Sequence, residues 1–289
     1  MQRTPGALKV EAGMPRPQWP VIFAWIAQHV PEAARGEALD DAKRQWLGRM
    51  RRCFTQTYSV LESEHLLLFT PQELWHGRAE LAKCDRVIEQ IANYLGGVAQ
   101  RPPTGKHVLL LFADRMAYEW YLYGYAVREV RKTAGVCLRS DLVHAVVLGN
   151  FIGTIAHELA HVCLSHLRLP RWVEEGVVQR MAVILAARDA RAVFERGDPG
   201  LREFWRQHDI DDFWGGWSKM GEGGMHYYGL AAMLLHAIAN DTSADFKGFL
   251  QNARAADTGI EAAGKYLPKR LEEYVTYILG DGKWEPVPE

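Results

Sequence analysis

Three short apolar runs dominate the first half of the chain: His65–Phe69 (HLLLF), His107–Phe112 (HVLLLF) and Leu142–Leu148 (LVHAVVL). Each is strand-length, and none is long enough for a core helix. Between the first two, Leu74, Leu81, Val87, Ile88, Ile91 and Leu95 keep helical spacing. Thr70-Pro71-Gln72-Glu73 reads as the capping box that opens this helix, and Gly96-Gly97 closes it. Asp114 to about Val127 reads as a second, aromatic helix, and after Gly149-Asn150 the pattern stays helical to the end. Strands alternating with helices, then helices alone, predict an α+β chain with a small mixed sheet followed by a mainly helical half.

The remaining segments constrain less. Residues 1 to about 20 are rich in Pro and Gly and read as a loose arm, and Trp19 to about Tyr58 reads as helical packing or capping. The expected organisation is an N-terminal arm and helical extension over 1–60 and one domain over 61–289. Of 289 residues, 48% are hydrophobic and 24% charged, so a normal core can form. The net charge of -1 offers no basic footprint for nucleic acid. The apolar run Gly229–Ala239 is too short to span a bilayer, and the start of the chain lacks the apolar core of a signal peptide. Cysteines at 53, 84, 137 and 163 fit neither a C-x-x-C pair nor zinc-finger spacing, and suit a reducing compartment. The expectation is a cytoplasmic protein without a membrane span.

Residues 157–161 read His-Glu-Leu-Ala-His, between the apolar flanks FIGTIA and VCLSHL, with Asn150 as the expected N-cap. On a helix, positions i and i+4 share a face, so both imidazoles can bind one zinc ion. Glu158 projects beside the metal rather than onto it. There it can take the proton of a water that the metal has made more acidic.

A second element follows at Pro170-Arg171-Trp172-Val173-Glu174-Glu175-Gly176. Together the two elements resemble the gluzincin branch of the zincin metallopeptidases, in which a second helix supplies a glutamate within a Trp-aliphatic-x-Glu-Gly motif. The resemblance implies a zincin-like fold with Zn2+ in a cleft between the halves. It makes His157, His161 and Glu175 the ligands, Glu158 the general base, and a peptide or protein the substrate. Glu174 then takes the variable position of the motif and reads as a solvated charge.

Other branches fit worse. Where metzincins place a third His, this chain has Leu167, and His166 misses by one residue; the aminopeptidase Gly-x-Met-Glu-Asn motif is not present. By analogy with related enzymes, Tyr228, then Tyr227 and His226, are candidates to steady the oxyanion, each against a core-packing alternative. Gln179 is a weak candidate to orient a ligand. Leu142–Leu148 is a candidate edge strand for an extended substrate. His144 and Cys163 read as structural. The aromatic stretches Tyr118–Tyr125 and Phe213–Trp217 read as core packing and a Gly-rich loop, with Gly215–Gly224 as a possible lid. Two rival readings are a zinc-binding regulatory or interaction protein without proteolysis, and a helical interaction protein in which the motif is accidental.

Overall fold

A computed structural model describes residues 7–11, 13–99, 105–125, 133–186, 194, 199–218 and 220–287. Two compact units emerge. One lies within Met1–Ala92 and Gln100–Cys163, the other within Asn93–Ala99 and Leu164–Glu289.

The first unit is built on a five-stranded mixed sheet. Its strands are β3 (Ser59–Glu62), β4 (Leu66–Thr70), β5 (His107–Phe112), β6 (Gly135–Leu138) and β7 (His144–Leu148), in the order β3-β4-β5-β7-β6. The central trio β4, β5 and β7 runs parallel, and β3 and β6 close the two edges antiparallel. This explains the uninterrupted apolar runs. A central parallel strand is covered on both faces, so both alternating sets of side chains must be apolar. Accordingly Leu66 to Phe69 and Val108 to Phe112 are all buried. On one face Leu67, Phe69, Val108, Leu110, Phe112 and Val146 share a core with Trp19, Trp46, Leu47, Tyr118 and Tyr121.

Trp19 lies on α1 (Trp19–His29) and Trp46 on α2 (Arg35–Met50), so the N-terminal helices complete the core of the sheet instead of forming a body apart from it. Their rings meet edge to face, with centroids 5.6 Å apart. The described part of the expected loose arm is a hairpin. β1 (Leu8–Glu11) pairs antiparallel with β2 (Met14–Pro17), and Ala7, Met14 and Pro17 are buried.

The helices between the strands begin and end for local reasons. α3 (Leu74–Leu95) stops at Gly96, whose φ of 58° is the left-handed conformation that closes a helix. Its start corrects the capping-box expectation. Thr70 is the last residue of β4, fully buried and paired with Ser59, and its hydroxyl accepts from the backbone N–H of Gln72. Pairing with β3 outcompetes the local cap. α4 (Arg115–Tyr123) is capped by Asp114, whose carboxylate accepts from the Ala117 N–H. Val127, the expected end of that helix, lies outside the described residues.

The second unit is helical: α6 (Arg171–Ala186), α7 (Pro199–Gln207), α8 (Asp211–Trp214), α9 (Gly224–Asn240), α10 (Phe246–Asn252), α11 (Ile260–Tyr266) and α12 (Leu271–Leu279). α5 (Ile152–Leu164) ends at the division between the units. α6 and α9 pack so closely that a Cβ at Gly176 would lie 2.5 Å from the Ala231 carbonyl oxygen. Trp172, one turn earlier on α6, is fully buried. It packs on Trp214 and Phe249, and its indole N–H donates to the Thr258 carbonyl at 3.0 Å. The Trp and Gly of the 172–176 motif are therefore explained by packing alone.

Phe213, Trp214 and Trp217 are buried, and Tyr118 and Tyr121 are buried in the other unit, so both aromatic stretches are core. Trp217 also fastens the candidate lid, since its ring stacks on Phe213 and it is only 3% exposed. Gly216 accepts from Arg171, and Ser218 donates to Asp212. No described helix is long and apolar enough to cross a membrane.

Candidate metal centre

α5 carries the His-Glu-Leu-Ala-His run. Ile155, Ala156, Leu159, Ala160 and Val162 are buried, which leaves His157 and His161 together on one flank of the helix. The helix opens at Ile152, and the Ile155 N–H bonds to the Phe151 carbonyl. Phe151, not Asn150, is thus the residue at its start. Asn150 instead offers its carbonyl to the Lys83 ammonium at 3.3 Å.

The two imidazoles turn toward each other. Their Nε2 atoms are 3.2 Å apart, with the ring planes at 75°. Two ligands on one tetrahedral zinc, each bonded at about 2.0–2.1 Å, have their donor atoms separated by about 3.3 Å. The pair therefore has the spacing that a shared ion requires. His157 is half-buried and His161 is 9% exposed, so the site is shielded without being sealed.

α6 begins directly after Pro170, whose carbonyl accepts from the Glu174 N–H. Its second turn carries Glu175. One ligand-type atom from each of His157, His161 and Glu175 lies within 4.8 Å of the others. Among the described residues no other set of three His, Cys, Asp or Glu side chains comes together in this way. Two neutral nitrogens and a carboxylate oxygen form a donor set of the kind that suits zinc. Glu174 and His166 stay outside the group, and His166 is exposed. Gln179 is half-buried one turn beyond Glu175.

Glu158 is only 5% exposed. Its carboxylate lies against β6, where a Cβ on Gly135 would sit 2.6 Å from Oε1 and 2.8 Å from Cγ. Absence of a side chain at Gly135 therefore makes room for the carboxylate. Farther along the same strand, burial pushes the Cys137 thiol up to about 12, with Glu158 pushing the same way and the Arg139 guanidinium opposing. Arg139, just past the end of β6, brings Nη2 to 3.3 Å from Nδ1 of His161.

Gly135 and Arg139 border the site without any signal in the sequence. β6 is four residues long, opens on glycine, and becomes a strand only by pairing with β7, Gly135 opposite Val147. The same pairing corrects the edge-strand expectation. Leu142 precedes β7, which lies between β5 and β6, and the terminal strand is β6.

The three oxyanion candidates differ in their surroundings. The Tyr227 hydroxyl donates to Asp212 at 2.9 Å within the aromatic core, and burial raises its pKa. His226 stacks on Phe204 at 4.3 Å. Tyr228, half-buried near the start of α9, meets Trp217 edge to face at 5.1 Å.

His144, read as structural, and His107 have different settings. His144 is 1% exposed, with Nε2 on the Tyr121 hydroxyl at 2.7 Å and Nδ1 on the Leu142 carbonyl at 2.8 Å. His107 is buried beside Cys163, with 3.9 Å between Nε2 and Sγ. No protein-family model matches the chain, and no curated protein does either.

Proposed function

We propose that this chain is a zinc-dependent peptidase of gluzincin type, with His157, His161 and Glu175 as metal ligands and Glu158 as general base. The observation that carries this reading is the approach of the three ligand-type atoms to within 4.8 Å of one another. They come from two sequence elements fourteen residues apart, His161 and Glu175. Glu158 adds a second support, because metal binding alone needs no carboxylate at that position, whereas hydrolysis does. When bound, zinc supplies Lewis acidity that polarises the scissile carbonyl and makes the attacking water more acidic.

The protein side chains do the rest. Glu158 takes the proton from the attacking water and later passes it to the leaving amine. The missing side chain at Gly135 leaves room for this carboxylate, which is largely shielded from bulk solvent. Tyr228 is the proposed donor to the oxyanion. The substrate is a peptide or protein segment in extended form. β6, the terminal strand of the sheet and the strand against which Glu158 rests, offers the edge for it to pair with.

The test is Glu158→Gln. Peptide hydrolysis is expected to fall by about 10³-fold or more, within the range of general acid–base catalysis. Zinc content should be unchanged by atomic emission. Hydrolysis that survives the substitution would remove Glu158 from the role.

A further inference from the structure

Within the helical unit, residues of α7, α9 and α12 line an open cavity of about 970 Å³, at the upper end of small-molecule sites. It shares no residue with the candidate metal centre. Behind one wall lies Arg180 of α6, only 7% exposed. Its guanidinium donates to the Tyr94 hydroxyl, to Nδ1 of His236 and, at 3.5 Å, to Oδ1 of Asn240. These acceptors are neutral, and among the described residues no carboxylate pairs with it. The Tyr94 and Phe194 rings lie 5.4 and 5.7 Å from its Cζ, which favours a cation without cancelling its charge. Phe194, His236 and Asn240 themselves line the cavity, so the charge sits directly behind that wall. A buried charge without a counter-ion keeps much of its potential toward such a space, because little water screens it.

Arg202 of α7 borders the same cavity. Its Nε donates to the Ile278 carbonyl at 2.9 Å, near the end of α12. That bond anchors the side chain and leaves both terminal nitrogens without a partner among the described residues. The other charges along the cavity are paired, Lys269 with Asp241 at 3.1 Å and Glu273 with Arg270 at 3.4 Å. Arg180 and Arg202 therefore leave the cavity with an excess of positive charge. Tyr277, 82% exposed, and Ile278 add an aromatic and apolar wall.

We propose that this cavity binds a small organic anion, a carboxylate or phosphate group on a flat apolar body. The Arg202 fork takes the head group within the field of Arg180, and the body lies along Tyr277 and Ile278. Both head groups accept two parallel N–H bonds from a guanidinium, and the ligand set below separates them. The site does not depend on the metallopeptidase reading.

The test is isothermal titration calorimetry of the full-length chain with three ligands that share a naphthalene body: 1-naphthylacetate, 1-naphthyl phosphate and uncharged 1-naphthalenemethanol. Binding should saturate at a single site, with at least one anion about tenfold tighter than the alcohol, the worth of a charge-assisted hydrogen bond. The tighter anion identifies the head group. Arg202→Gln should cut that preference by about fivefold or more. Arg180→Met, which puts a neutral chain in place of the buried cation, should also lower it while leaving the alcohol unaffected. Should Arg180→Met fail to fold by circular dichroism, Arg202→Gln at its exposed position decides alone. No binding, equal affinity for anion and alcohol, or a preference untouched by Arg202→Gln would each overturn the proposal. The preference should survive in the folded His157→Ala/His161→Ala protein. Its loss there would place the anion on the metal centre, which overturns this site and leaves the peptidase reading standing.

Discussion

His144 and the His157–His161 pair show two ways of placing an imidazole in one compact unit. Both ring nitrogens of His144 are engaged, by a tyrosine hydroxyl and a backbone carbonyl, and the ring is closed off from solvent. Burial pushes its pKa down to about 4, against some upward pull from the carbonyl bond. On α5, by contrast, two rings offer nitrogens to each other across 3.2 Å, with a carboxylate from the next helix close by. The first arrangement leaves nothing for a ligand. The second brings electron-pair donors together at one point, which is what a shared cation requires. Burial alone does not separate the two kinds of site, since His144 and His161 both lie under 10% exposure. What separates them is whether neighbouring groups use up the ring nitrogens or aim them at a common point.

The contrast can be broken at either end. His161→Ala should have the largest effect, weakening zinc binding by more than about 100-fold, beyond what loss of an outer-shell partner causes. Competition with a chromogenic chelator measures this, and the fold should persist by circular dichroism. The corresponding His144→Gln should leave zinc affinity unchanged; a comparable loss there would erase the distinction.

His144 should instead govern acid stability. Its folded pKa, about 4, lies below its ordinary value of 6.5, so between those limits the unfolded chain binds a proton that the folded chain does not. Stability contributed by the neutral ring is therefore intact above pH 6.5 and is lost as pH falls toward 4. The slope is about 1.4 kcal/mol per pH unit, or about 3 kcal/mol across the window. Urea unfolding at pH 7 and pH 4.5 should show a smaller acid loss in His144→Gln than in the parent. Equal losses would mean that the buried ring is not what acid attacks.

Substitutions at two close-packed glycines should have smaller effects. Gly176→Ala drives a methyl into the Ala231 carbonyl and the Leu235 side chain and should cost about 2 kcal/mol by thermal or urea unfolding. Full stability in that variant would show that α6 and α9 can separate without cost. Gly135→Ala meets only the movable carboxylate of Glu158 and the Thr154 methyl. It should lower kcat by about tenfold, or about 1.4 kcal/mol, with KM and zinc content little changed. An unaltered kcat would mean that the carboxylate tolerates displacement.

The same contrast explains what could be read from the sequence. Two imidazoles one helical turn apart are a local pattern, so α5 and its histidines were legible, as was β5, whose apolar run coincides with the strand. Glu175 was legible only through resemblance, because spacing alone cannot bring a second helix to the first. The α+β class followed from strand-length runs preceding helical ones. The hairpin β1–β2, β3 and β6 were not legible, since each is four residues long and owes its conformation to a partner strand. Thr70 shows the converse, a sound local capping signal overruled by pairing with the neighbouring strand β3. Gly135 and Arg139 were invisible for the same reason, because their relation to Glu158 and His161 exists only once β6 has joined the sheet.

The proposed activity requires a single ion held by His157, His161 and Glu175. Zinc content of the chain purified without chelators and dialysed against micromolar zinc tests it most directly. About one zinc per chain is expected, falling below about a tenth in a folded His157→Ala/His161→Ala double variant. A folded parent protein that retains no zinc under these conditions would contradict it.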